Sequence, residues 1–178
     1  STPTLFCQIA QPDTHYIIVP KTSSGKRRYL PIGFMDKDTI ASDLVFLIPD
    51  ATLYEFAVIS SNVHMSWLRT VCGRLKSDYR YSKDIVYNDF CWPNPNEKQK
   101  EKIQKTAQLI LDARKKYPNV TIADMYGEKM YLYTDLIKAH QLNDIAVMEA
   151  YGFDWRHMTE SDCVAKLMEL YQQRIDNN

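Results

Sequence analysis

The sequence predicts an α+β protein: a mostly antiparallel β-sheet with one embedded helix over residues 1–93, then an α-helical subdomain over residues 94–178. Three observations predict it. The first half alternates short β-branched or aromatic runs with turn-forming residues. The segment FCWPNP, residues 90–95, breaks that pattern with two prolines. Beyond it, apolar residues recur at the three-and-four spacing of an amphipathic helix.

In chain order, residues 15–19 (HYIIV), 28–34 (RYLPIGF), 43–48 (DLVFLI) and 52–59 (TLYEFAVI) read as strands, separated by Ser23-Ser24-Gly25 and Pro49-Asp50. A helix capped by Ser60 or Ser61 follows, with Met65, Leu68, Val71, Cys72 and Leu75 on one stripe and Gly73 near its end. Residues 84–87 (DIVY) read as a returning strand. In the second half, residues 96–117 set Ile103, Ala107, Ile110 and Leu111 opposite a dense Lys/Glu face, and Pro118 closes the helix. A short helical turn is predicted over 121–126. Thr134 caps a helix through Leu136, Ile137, His140, Val147, Met148 and Tyr151, with Gly152 just past its end. Thr159-x-x-Asp162 resembles a capping box ahead of Val164, Leu167, Met168, Leu170 and Tyr171.

The composition, 45% hydrophobic and 25% charged over 178 residues, is that of an ordinary globular chain. Lys+Arg and Asp+Glu are equal at 22 each, so a nucleic-acid surface has to come from local arrangement of charge. Cys7, Cys72, Cys91 and Cys163 form no CxxC pair, and the four histidines form no ligand-spaced cluster with them. No metal site is therefore predicted, and a reducing, cytoplasmic location is expected. No basic start leads into an apolar run, and no stretch approaches the roughly 18 apolar residues of a membrane span. The chain lacks an initiating Met and begins in mid-pattern, which suggests a piece of a longer protein.

The usual catalytic constellations are missing. There is no Gly-rich phosphate loop, nucleophile elbow or HExxH, and only five glycines occur. His64 and Cys72 lie eight positions apart, about 12 Å along a helix, too far to hydrogen-bond. Asn88-Asp89-Phe90 lacks the prolines of the Asn/Asp-Pro-Pro-aromatic loop with which amino-methyltransferases hold a flipped adenine. No catalytic residue is predicted.

What remains is surface. Between Arg69 and Lys83 stand five basic residues, Arg69, Arg74, Lys76, Arg80 and Lys83, against one acid, Asp78, with Tyr79 and Tyr81 interleaved. A second knot is Lys21 with Lys26, Arg27 and Arg28. Such clusters suit phosphate contact, although a charge run is more often a solvated surface. If the chain is extended after Leu75, Lys76, Asp78 and Arg80 share one side at a period of two. A lysine beside an aspartate fits one G·C pair: the ammonium donates to guanine O6/N7 and the carboxylate accepts from cytosine N4. An exposed ion pair worth about 0–1 kcal/mol explains the same residues without DNA.

The run from Arg27 to Pro93, RRYLPIGFMDKDTIASDLVFLIPDATLYEFAVISSNVHMSWLRTVCGRLKSDYRYSKDIVYNDFCWP, closely resembles the target-recognition domain of the MmeI-like type II restriction-modification enzymes. These are single chains that fuse a nuclease to an adenine-N6 DNA methyltransferase. The segments EKQKEKIQKTAQLILDARKKYPNVTIADMYG and LIKAHQLNDIAVMEAYGF resemble the helical C-terminal region of the same proteins. Cys91 stands where that family more often has proline, and the match is weaker from Asp154 to Asn178. The resemblance implies double-stranded DNA and the parent's own methyltransferase domain as partners. It implies S-adenosylmethionine as a cofactor of the parent and none in this fragment. It carries base reading to Lys76 and Asp78 with Arg80 beside them, and to a second pair, Lys21 and Asp43. Phosphate contacts then fall to Lys26, Arg27, Arg28, Arg69, Arg74 and Lys83. The competing reading is a protein-interaction module that docks onto another domain or subunit.

Overall fold

The computed structural model describes residues 11–177. Its strands are β1 (Tyr16–Pro20), β2 (Thr22–Ser23), β3 (Gly33–Met35), β4 (Val45–Pro49), β5 (Gly73–Leu75) and β6 (Asp78–Arg80). Its α-helices are α1 (Leu53–Ile59), α2 (Asn62–Val71), α3 (Glu97–Lys115), α4 (Ile122–Met125), α5 (Thr134–Ala150) and α6 (Glu160–Asp176). The α+β class holds, with all strand pairs antiparallel, but the strands form two three-stranded sheets, ordered β3-β1-β4 and β2-β6-β5, rather than one.

Two of the three helices announced by caps start as the sequence puts them, but Thr134 does not cap α5: it is the first helical residue, Tyr133 takes the cap position, and no side chain bonds the helix start. Ser61 accepts from the His64 N–H, Asn96 and Gln99 cap each other's backbone, and Thr159 with Asp162 closes a reciprocal box on α6. Gly152 takes φ +72° after α5, the left-handed position that ends a helix.

Four expectations fail, each for a local reason. Residues 52–59 form helix α1, not a strand, because Thr52 and Glu55 make a capping box: Thr52 Oγ1 accepts from Tyr54 N at 3.1 Å and the Glu55 carboxylate accepts from Thr52 N at 2.7 Å. Phe56, Ala57, Val58 and Ile59 are buried in succession, so burial on every side of a short helix imitates a buried strand. The helix expected to reach Leu75 stops at Val71, where Cys72 turns extended, and residues 73–75 become β5. Residues 84–87 lie in a π-helical turn, Lys83–Asn88, started by Ser82 Oγ accepting from Ile85 N. In 28–34 only Gly33 and Phe34 are in a strand, because the backbone leaves the sheet to bury Tyr29, Leu30 and Ile32.

One hydrophobic core runs through both halves, from Ile17 and Val19 of β1 through Phe56 and Trp67 to Ile110, Val147 and Leu167. Polar groups at the seam are satisfied across it. Asn143 of α5 donates to the Ala57 carbonyl at 2.8 Å, and its Oδ1 accepts from Thr106 of α3 at 3.0 Å. Arg114 of α3 donates to the Ile32 carbonyl at 2.8 Å and to the Tyr126 hydroxyl at 2.9 Å. Arg174 of α6 donates to the carbonyls of Asn88, Asp89 and Phe90, which gives the C-terminal tail a structural role in holding the chain's exit from the first half.

Asp144 of α5 sits at the same seam, 6% exposed, accepting from the Tyr29 hydroxyl at 2.6 Å and from the Asn62 N–H at the start of α2 at 2.8 Å. Burial pushes its carboxyl up to about 6 despite those bonds. The folded form therefore holds this proton more tightly than the unfolded chain, where a carboxyl titrates near 3.9. Its contribution is fully present below about pH 4 and is lost as pH rises through 6, an effect of order 1–3 kcal/mol. Buried His64 and His140, both held neutral by desolvation, tilt stability the opposite way, so a difference between proteins isolates Asp144. Denaturant midpoints of Asp144→Asn minus wild type should rise between pH 4 and 7; a flat difference would contradict the buried, protonatable carboxyl.

Candidate nucleic-acid interface

Strands β5 and β6 form a hairpin closed by the pair Leu75↔Asp78, so Lys76 and Ser77 are its two loop residues. The chain is therefore not extended from Leu75 to Tyr81. It turns back at Lys76, which takes φ +57°, a left-handed conformation at the first loop position as in II′ hairpin loops. Asp78 and Arg80 share one strand face, while Lys76 stands beside Asp78 at the tip instead of in the same row. The opposite face of β6 points inward: Tyr79 and Tyr81 are buried, and Tyr81 meets the Nε2 of fully buried His64 at 3.0 Å. Desolvation lowers the pKa of that histidine to about 3, so it is a neutral anchor under the sheet. The aromatic residues noted between the charges are thus the hairpin's root in the core.

The tip is braced on two sides. Arg74 Nη1 donates to the Ser77 carbonyl at 3.3 Å, and its guanidinium lies 4.5 Å from the centre of the Tyr79 ring. From the other side comes the turn after β2, where the Gly25 N–H lies 3.4 Å from Asp78 Oδ1. Sequence reasoning saw Gly25 only as a turn-former, because its partner is 53 residues away.

Lys21 and Asp43 are brought together on the rim of an apolar cleft of about 990 Å³ floored by β4, with Lys83 on the same rim. The Lys21 N–H donates to the Leu44 carbonyl at 2.9 Å, and the Lys21 ammonium stands 5.1 Å from the centre of the Phe46 ring. Arg80, Lys83 and Arg28 are exposed and Arg27 is half-buried. Besides Arg74, two of the expected phosphate contacts have partners inside the fold. Arg69 donates to Glu160 at 2.9 Å and to the Arg28 carbonyl at 3.2 Å, joining α2 to α6. Lys26 pairs with Glu128 at 2.6 Å, joining the turn after β2 to the segment beyond α4. The Asn88–Phe90 carbonyls are occupied by Arg174 and Phe90 is buried, so this segment does not form an open loop able to hold a base. Cys72, Cys91 and Cys163 are unpaired, and Cys7 lies outside the described residues. Among the described residues, no helix is long and apolar enough to cross a membrane.

A short charged hairpin, rooted by aromatic residues and braced on a helical base, is the build of a recognition module. Residues 1–94 match the family model of the MmeI target recognition domain, and residues 95–177 match that of the MmeI C-terminal domain. The chain belongs to the MmeI family and carries these two regions of it. It is similar to DNA methyltransferase A of Bacillus subtilis (strain 168), with 34% identity over 98% of this chain and 20% of that protein. A solved structure of the type IIL restriction-modification enzyme MmeI in complex with DNA matches it with a TM-score of 0.92 and 44% identity, over 98% of this chain and 23% of that one. The chain thus spans about a fifth of the length of these relatives.

Proposed function

We propose that this chain is the sequence-reading part of an adenine-N6 DNA methyltransferase of a restriction-modification system, with residues 1–93 as the recognition domain and 94–178 as its helical support. The observation that carries the reading is the hairpin tip. A lysine held at positive φ costs of order 1 kcal/mol that glycine would avoid, and such strain concentrates at functional positions. In this reading Lys76 and Asp78 contact opposite members of one G·C pair, with Arg80 beside them, while Lys83, Arg28, Arg27 and Arg74 meet phosphate. The Lys21 carbonyl accepts from the Tyr81 N–H, three residues along from Asp78. At strand rise that puts the Lys21 backbone about 10 Å from Asp78.

S-adenosylmethionine belongs, in this proposal, to a methyltransferase domain elsewhere in the parent chain, which works on DNA in the cytoplasm. The residues present do not fit the cofactor: the large cleft is floored by β4 side chains with no glycine-rich loop beside it. That cleft, flanked by exposed Ile40 and Leu44, favours a second role, docking of this module onto the parent's other domains, which is compatible with the first.

Lys76→Gly tests the base-reading role. The substitution relieves the loop, so the melting temperature of the intact enzyme should hold or rise by the equivalent of up to about 1 kcal/mol. Selection from a randomised duplex pool should lose preference at one base position. Unchanged preference at every position would overturn the assignment.

A further inference from the structure

We infer that Gly25 is a specificity-determining positioning residue, an abutment that fixes where Asp78 presents its carboxylate. The inference rests on the base-reading role proposed for the hairpin tip, and it adds a residue from a different segment, the turn after β2, that touches no DNA in that scheme.

Gly25 does not owe its identity to backbone conformation, since the glycine with positive φ among the described residues is Gly152. It owes it to room. A Cβ built on Gly25 would lie 2.5 Å from the Ser77 carbonyl oxygen and 3.6 Å from its carbon. The obstructing atom is backbone and cannot swing aside as a side chain would. The close approach has a use: it brings the Gly25 N–H to Asp78 Oδ1 at 3.4 Å, which occupies one carboxylate oxygen and leaves Oδ2 to accept from a base amino group.

The rest of the turn is built to stand still. Ser23 pairs with Tyr79 in the sheet, the Arg27 N–H returns to the Ser24 carbonyl at 3.1 Å, and Lys26 is tied to Glu128. Arg74 holds the same Ser77 carbonyl from the other side. The loop is therefore clamped between Gly25 and Arg74, and the two residues on either side of Ser77 are Lys76 and Asp78. A methyl group at position 25 has to move the Ser77 carbonyl by about 0.9 Å, from 2.5 Å to the 3.4 Å at which ordinary contact begins. Recognition groups need placement within about 0.5 Å, so that displacement exceeds the tolerance of a base contact.

The test is Gly25→Ala in the intact enzyme, with methylation rates compared on the cognate duplex and on duplexes changed at one base pair at a time. Discrimination should fall about tenfold or more at the single base pair that Lys76→Ala and Asp78→Ala also affect. Affinity for non-cognate DNA and its salt dependence should stay as in wild type, because no phosphate contact changes. Undiminished discrimination in Gly25→Ala, with Lys76→Ala and Asp78→Ala each altering one position, would overturn the positioning role alone. If those two alter no position, the base-reading role itself falls. Should Gly25→Ala fail to fold, Arg74→Met decides: it frees the same carbonyl without added bulk and should loosen the same base pair. Loss of the Arg74 phosphate contact lowers affinity on all sequences alike, so discrimination is the readout: a uniform loss with discrimination unchanged at that base pair would refute the clamp.

Discussion

Exchanging the two tip residues, Lys76→Asp together with Asp78→Lys, is expected to invert the preferred base pair at one position of the recognised word, from G·C to C·G or the reverse. The argument is one of donors and acceptors. Lysine offers only donors, which suit guanine O6 and N7, and aspartate offers only acceptors, which suit the cytosine amino group. Reversing their order on the tip reverses the order in which the groove must present them. Each good contact is worth about 1–3 kcal/mol of discrimination, so the double variant should shift the preference by at least about 5- to 150-fold. The backbone favours the exchange on one side, since aspartate tolerates the φ of +57° at position 76 better than lysine does. On the other side it carries a loss, because a lysine at 78 cannot accept from the Gly25 N–H. The double variant keeps the chain's net charge, so binding to unrelated DNA and its salt dependence should not move. A relaxed preference without inversion would mean that the two side chains read separate features. An unaltered word would remove both from base reading.

The largest loss of stability is expected from Arg114→Met. Arg114 is 8% exposed, and its guanidinium bonds the Ile32 carbonyl and the Tyr126 hydroxyl while lying 5.2 Å and 4.8 Å from the ring centres of Phe56 and Tyr126. Methionine keeps much of the apolar stem but leaves the buried Ile32 carbonyl without a donor, a desolvation loss of about 1–3 kcal/mol to which the lost ring contacts add. A total of about 2–4 kcal/mol corresponds to a drop in melting temperature of roughly 4–16 °C for a chain of this size. Because Ile32 lies between β2 and β3 on the side of the recognition turn, the loss should loosen residues 24–32 in hydrogen exchange before the rest of the molecule. A variant as stable as wild type would show that the seam between the two halves does not depend on this contact.

How much of this was legible in the sequence follows from how local each signal is. Ser61 and Thr159 mark helix starts because a cap is a contact within three residues, and both helices are found, while the Asn96–Gln99 box of α3 went unread and that helix was legible from its apolar period. Thr52-x-x-Glu55 carried the same signature, but the β-branched and aromatic run behind it outweighed it, since a helix buried all round has no polar face to betray its period. The hairpin was missed because Lys76-Ser77 is not a turn-forming pair. Its bend depends on Arg74, Gly25 and the buried Tyr79, contacts that come from the sheet and not from the loop. Charge told the same story at the interface. The residue types were readable, but the partners of Lys26 and Arg69 lie 102 and 91 residues along the chain, so which cations remain exposed was not. The resemblance to the MmeI-like enzymes supplied what propensity could not, and the family match bears it out.

The most direct measurement is a double-mutant cycle between the protein tip and the DNA. Wild type and Lys76→Gly, in the intact enzyme, are each bound to the selected duplex and to duplexes in which one guanine at a time is replaced by 7-deazaguanine, which removes only the N7 acceptor. The account predicts a coupling of about tenfold in affinity, or 1.4 kcal/mol, at one guanine and none at the others. Strict additivity at every guanine would contradict the claim that this hairpin reads the base pair.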